Sequence, residues 1–128
     1  MRFLLDTQVA LWAYFKQARL SMQTKLILQS RDNELVFSTA TLWEIAIKRA
    51  LGKKDFQFDP RVLRRAMLDD GYEELPVLGQ HAVAVDSLPT IHKDPFDRIL
   101  IAQAMVEGIT LLTADPVIAK YPGPIRKV

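Results

Sequence analysis

Four acidic residues sit where an alternating strand-and-helix chain does its chemistry. Asp6 directly follows the apolar run Phe3-Leu4-Leu5, and Asp115 follows the run Ile109–Leu112 with two residues between. Asp97 falls in the first turn of a helix opening at Asp94-Pro95, and Glu44 lies about one turn into the helix after Leu35-Val36-Phe37. In open parallel sheets the ligand site lies beyond the carboxyl ends of the strands. If the strands are neighbours, these four carboxylates share one cleft. Acids gathered without a cation repel one another and hold their protons to higher pH, unless divalent ions sit between the oxygens. Magnesium or manganese suits an all-oxygen site, where it lowers the pKa of water and stabilises charge on a phosphodiester under attack; two ions about 3.5–4 Å apart would do both jobs.

Each acid also has an innocent explanation. Asp6 or Thr7 can cap a helix, Asp94 with Pro95 and Asp97 forms a well-built helix start, and Asp115-Pro116 repeats that pattern. Thr41-Leu42-Trp43-Glu44 fits a capping box. Glu44 weighs against this reading, because Trp43, Ile45, Ala46 and Ile47 leave little polar surface around it and a buried, unpaired carboxylate costs several kcal/mol. Lys48, four residues on, is its innocent partner on an exposed helix face.

The elements that must position these residues alternate along the chain. Phe3–Leu5, Leu35–Phe37, Glu73–Val77 and Ile109–Leu112 read as four buried strands. Helical spacing marks segments from Val9 to Phe15, after Ser21 to about Gln29, from Leu42 to Leu51 with Gly52 as the stop, and from Pro60 to about Leu68. Ser38, Thr39 and Thr41 all offer caps to the third of these. A short helix spans Gly79 to Val85, a long one runs from Asp94 to Gly108, and Asp115-Pro116 opens one more helical turn. The tail around Ile125 can add an edge strand. The expectation is an α/β domain with a largely parallel central sheet of about four to five strands flanked by helices.

Composition narrows the function. The 128 residues, 49% of them hydrophobic, fit one domain, residues 1–128. There is no run of eighteen apolar residues, and an acid at position 6 interrupts any leader, so the expected location is the cytoplasm, without membrane contact. The absence of cysteine excludes thiolate chemistry, and His81 and His92 alone make an imidazole-rich zinc site improbable. Both histidines read as surface or loop packing. The formal charge is +2, but setting four of the 15 acids aside leaves 11 against 17 bases, a balance of +6 that suits a polyanion.

The motifs Leu4-Leu5-Asp6-Thr7, Ser38 through Lys48, His92 through Arg98 and Leu112-Thr113-Ala114-Asp115 together resemble a PIN-domain protein of the VapC toxin type, over nearly the whole chain. The resemblance implies a PIN-like fold and a metal-dependent endoribonuclease, the toxin of a type II toxin–antitoxin pair. Its acidic pocket would be Asp6, Glu44, Asp97 and Asp115, with Asp6 and Asp97 as principal magnesium (or manganese) ligands. Thr7, Ser38, Asp94 and Thr113 would form a supporting polar shell. It further implies an RNA substrate, often transfer RNA, a small antitoxin partner that covers the pocket, and a homodimer. Arg98, Lys48 and Arg49 are candidates for RNA phosphates, and Arg98 alternatively pairs with Asp94.

Trp12, Phe15, Trp43, Ile47 and Leu51 supply apolar surface that a partner helix can use, although core packing of both tryptophans is the preferred reading. Three other functions compete. A non-catalytic PIN-like module would bind RNA or protein and ignore metal. An aspartyl nucleophile at Asp6 would want a second acid two residues on, where Gln8 stands. A DNA-directed nuclease is the nearest rival, since no motif here reads a 2′-hydroxyl and only the resemblance favours RNA.

Overall fold

A computed structural model describes residues 1–128. Five strands form one wholly parallel sheet in the order β3-β2-β1-β4-β5: β1 Arg2–Leu5, β2 Glu34–Ser38, β3 Glu73–Leu75, β4 Thr110–Thr113 and β5 Ile125–Lys127. The helices between them are α1 Thr7–Phe15, α2 Met22–Gln29, α3 Thr39–Ala50, α4 Pro60–Asp69, α5 Gly79–Ala84 and α6 Pro95–Glu107. The α/β expectation is met. The edge strand at Ile125 forms, and β3 ends two residues early, before Pro76, which has no N–H to give a ladder. After Asp115-Pro116 the chain makes only a 3-10 turn, Ile118–Lys120.

Strand burial follows from coverage on both faces. Leu4, Val36 and Leu111 point to one core with Leu100, Ile101 and Ala104 of α6; Phe3, Leu5, Phe37 and Leu112 point to the other with Val9, Ile45, Leu63 and Met67. Alternate residues of one strand therefore feed both cores, which is why the strands read as unbroken apolar runs. Helix ends obey local chemistry. Asp6, Ser21, Ser38, Asp59 and Asp94 cap α1, α2, α3, α4 and α6 with side-chain oxygens, and Gly108 closes α6 in the left-handed region that glycine enters without strain.

Two core expectations fail. Trp43 is 63% exposed, because its side of α3 faces away from the sheet and its ring meets only Phe96, edge-on at 5.2 Å. Trp12 is half-buried. His81 is neither surface nor loop packing. It lies in α5 with no exposure, its Nδ1 accepting the Leu78 N–H at 2.9 Å and its Nε2 lying 2.8 Å from Glu107 of α6. Satisfied on both nitrogens, it ties two helices that cross the sheet face together.

Candidate metal centre

The chain crosses from β1 to either side of the sheet, so β1 and β4 meet at the point where strand order reverses, and a crevice opens beyond their carboxyl ends. Asp6 leaves β1 there, its backbone N–H donating to Leu112 at 3.0 Å. Glu44 comes from the second turn of α3, Asp97 from the first turn of α6, and Asp115 from just beyond β4. All four line one concavity of about 360 Å³ with Lys48, His92 and Asp94. A larger hollow of about 780 Å³ opens beside Arg2 and Tyr72, but its acids are spoken for: Glu34 and Glu73 pair with Arg2, and Asp70 accepts from Tyr14.

Asp6 forms the floor. It is 4% exposed, with Oδ1 accepting the Val9 N–H at 2.7 Å and Oδ2 the Thr113 hydroxyl at 2.5 Å. Burial pushes its pKa up to about 6 against the lowering effect of those two bonds, and the charges of Asp115 and Glu44 add to the rise. It therefore caps α1 and faces the other acids at once. Asp97 goes further. Burial, then the charges of Asp94, Glu44, Asp6 and Asp115, push it up to about 8. Its Oδ2 stands 2.9 Å from His92 Nε2, and Asp115 Oδ2 stands 3.8 Å from the same nitrogen. Ligand atoms of His92, Asp97 and Asp115 lie within 4.8 Å of one another, spacing compatible with a shared ion. His92 is thus a pocket residue, not loop packing. The Asp-Pro-Phe-Asp start three residues later was the signal that placed it there, since a residue just ahead of a capping turn shares the helix mouth.

Glu44 is 3% exposed, and Lys48 Nζ donates to its Oε2 at 2.6 Å and to Asp94 Oδ2 at 3.3 Å. The expected pair forms, but not on an exposed face: the ammonium lies 4.7 Å from the Phe56 ring and 5.6 Å from the Phe96 ring. Burial works against its charge, yet Glu44 and Asp94 outweigh that and raise its pKa. The picture of four acids with no cation among them is therefore corrected on one side of the pocket. Glu44 Oε1 remains buried with no hydrogen-bond partner. An orphaned carboxylate oxygen beside Asp97, with its protons held high, fits a divalent cation in chemistry and charge.

These contacts decide the family. A PIN-domain family model matches residues 3–124. The chain belongs to the PIN-domain family. No curated protein sequence matches it. Among solved structures, VapBC2 from Rickettsia felis bound to a DNA fragment from its promoter superposes with a TM-score of 0.73 at 19% identity, covering 99% of this chain and 98% of that one. DNA-bound VapBC from Salmonella typhimurium gives 0.67 at 17%, covering 99% and 98%, and VapBC-5 from Mycobacterium tuberculosis gives 0.63 at 16%, covering 99% and 97%. At these identities the likeness is one of fold, and at that level the resemblance to the VapC type is met.

Within this PIN fold the remaining candidates divide by contact. Thr113 holds Asp6, as above, and also accepts the Asp115 N–H at 3.0 Å. Thr7 bonds Thr41 at 3.0 Å behind the pocket, Ser38 accepts the Ala40 N–H, and Asp94 caps α6 while meeting Lys48. Arg98 does not pair with Asp94 and is not free for phosphate: its guanidinium donates to the carbonyls of Val85, Pro89 and His92 and to the Tyr121 hydroxyl. Arg49 lies 3.8 Å from Asp59, away from the acids. Of the three cations expected to meet phosphate, only Lys48 lines the pocket.

Proposed function

We propose that this protein is a divalent-metal-dependent endoribonuclease, the VapC-type toxin of a toxin–antitoxin pair. The observation carrying this reading is the convergence of Asp6, Glu44, Asp97 and Asp115 on one crevice, with Glu44 Oε1 unpartnered and Asp97 reluctant to ionise. Asp97 and the free Oδ2 of Asp115 would hold Mg2+ or Mn2+; Glu44 Oε1 and the unused lone pairs of Asp6 would complete the set. When bound, such an ion lowers the pKa of water and stabilises negative charge on the attacked phosphodiester.

The chain's own groups do the rest. Thr113 fixes the Asp6 carboxylate, and Lys48, half-enclosed by Phe56 and Phe96, offsets the Glu44 charge and offers N–H groups where a phosphate enters. The surplus of bases outside the acidic cluster attracts the polyanion. RNA, rather than DNA, and transfer RNA in particular, follow from the family resemblance. The promoter DNA in two of the similar complexes belongs to those assemblies.

An antitoxin is the fitting partner. Trp43 and Leu51 are exposed along α3, with Phe96 beside Trp43, so an apolar helix face can lie across the pocket mouth. A homodimer and a cytoplasmic location complete the reading; no helix is long and apolar enough to cross a membrane. The capping duties of Asp6, Asp94 and Asp115 favour one other reading, a PIN-like module that binds without cutting.

The test titrates Mg2+ and Mn2+ calorimetrically into antitoxin-free wild type and Asp97→Asn, then incubates both with cellular RNA and with duplex DNA. Metal uptake and RNA cleavage in the wild type, both weakened in the variant, support the nuclease. DNA cleavage alone transfers the activity to the other polymer. Folded wild type that takes up no metal and cuts neither polymer makes the binding module the better account.

A further inference from the structure

Residues 88–94 connect α5 to α6, and one of them is held with unusual completeness. The Tyr121 hydroxyl accepts the His92 N–H at 2.6 Å and donates to the His92 carbonyl at 3.2 Å. Arg98 reaches the same carbonyl at 3.4 Å while bonding the Tyr121 hydroxyl at 3.2 Å and the Pro89 carbonyl at 2.9 Å. Arg98 and Tyr121 thus clamp the backbone of His92 at both its polar groups, which gives Arg98 a role that phosphate binding did not.

The clamp aims the imidazole. His92 Nδ1 accepts the Asp94 backbone N–H at 3.3 Å, so Nδ1 carries a lone pair and, in the neutral ring, Nε2 carries the hydrogen. That nitrogen faces Asp97 Oδ2 at 2.9 Å and Asp115 Oδ2 at 3.8 Å. No other donor approaches the Asp97 carboxylate. A metal-ligating imidazole needs the reverse arrangement, a bare Nε2 and a hydrogen on Nδ1, where the Asp94 amide already points its own.

We propose that His92 is a positioning residue of the metal centre: its Nε2–H holds the Asp97 carboxylate beside Asp115, and the ring is not itself a ligand. The donor lies between two carboxylates that would otherwise separate by repulsion, so the ligand pair is converged before an ion arrives. The proposal rests on the metal-binding reading above and adds to it the residue that presets the geometry.

The test is a Mn2+ titration of wild type, His92→Ala and His92→Gln, with two-bond 1H–15N correlation spectra of the Mg2+-loaded wild type. The chain has only two histidines, and the His92 signals are those missing from His92→Gln. His92→Ala is expected to weaken Mn2+ binding about 10-fold or more, in the range for loss of a group that orients a ligand. Glutamine carries an amide N–H near the Nε2 position and should recover most of that loss, and the Mg2+-loaded ring should remain protonated on Nε2. A ring protonated on Nδ1 with Mg2+ bound, together with a glutamine variant as weak as the alanine one, makes His92 a ligand and overturns the proposal. An alanine variant that binds as wild type does removes the role altogether. Wild type that binds no Mn2+ overturns the metal reading and the proposal with it, an outcome the wild-type titration alone identifies.

Discussion

The two sides of the acidic pocket answer the same electrostatic problem in opposite ways. On the α3 side, Glu44 and Asp94 meet a cation built into the chain: Lys48, within 3.3 Å of both and flanked by two aromatic rings. On the other side, Asp97, Asp115 and the Asp6 floor face one another with only a histidine between, and Asp97 is pushed up to about 8. A chain that can place a lysine in such a cluster does so once and leaves the other half open. The open half is where an external cation gains most, because each carboxylate there lacks a charge partner. The sharpest way to break this comparison is to exchange one acid on each side. Asp97→Asn should lower metal-dependent cleavage by more than about 100-fold, since loss of a ligand exceeds loss of its support. Glu44→Gln should cost less, because Lys48 keeps Asp94. Steady-state rates of both at saturating Mg2+ check this; equal losses would mean that the two sides act alike.

Removing the cation probes the closed half. Lys48→Met leaves Glu44, 3% exposed, with no partner for either oxygen. Breaking a fully buried pair from one end costs about 3–5 kcal/mol. The Lys48 side chain is 21% exposed, so about 1–3 kcal/mol is expected in metal-free protein. Adding Glu44→Gln should return most of it, since the orphaned charge is then gone. Denaturant unfolding of the two singles and the double in EDTA measures the coupling. A second signature is expected: with Lys48 gone, Glu44 is freed for an ion, and added Mn2+ should stabilise Lys48→Met more than wild type. If metal stabilises both equally, the lysine is not what closes that side.

The sequence alone led to these four acids by strand-end position, and it could do so because strand burial and helix capping are local effects. Phe3-Leu4-Leu5 is apolar throughout because both faces of β1 are covered, and Asp6 and Asp94 announce themselves as caps. What stayed hidden depends on orientation around an axis. The apolar stretch at Trp43 gives no phase strong enough to say that Trp43 turns outward to Phe96 while Glu44 turns inward. Lys48 at i+4 from Glu44 was legible as a pair, but its enclosure depends on Phe56 from a loop and Phe96 from α6, contacts that no spacing encodes. His92 and Arg98 were misassigned for the same reason. Their partners Tyr121, Val85 and Pro89 are distant in sequence, and a basic residue beside a cleft looks like a phosphate ligand until its hydrogen bonds are counted.

The gentlest way to sharpen the comparison changes no residue. Asp97 and Asp6 have pKa values pushed up to about 8 and about 6 from the ordinary 3.8, in both cases chiefly by burial. Between pH 4 and 8 the unfolded chain has released protons that the native pocket still holds, so the pocket's contribution to stability falls as pH rises through that window. Metal-free protein in EDTA should therefore melt a few degrees lower at pH 8 than at pH 5.5 on account of these two groups. Ion binding needs the ionised forms, so the stabilisation by Mg2+ or Mn2+ should grow over the same interval. Lys48 adds nothing to this slope, because its raised pKa moves its own titration above the lysine range, where stability would be lost only at strongly alkaline pH. Replacing Asp97 by asparagine should flatten the metal-free profile, while Lys48→Met should lower it without flattening it. Melting curves in EDTA and in Mn2+ across that range distinguish the two sides: a slope that survives Asp97→Asn would place the uncompensated charge elsewhere in the pocket.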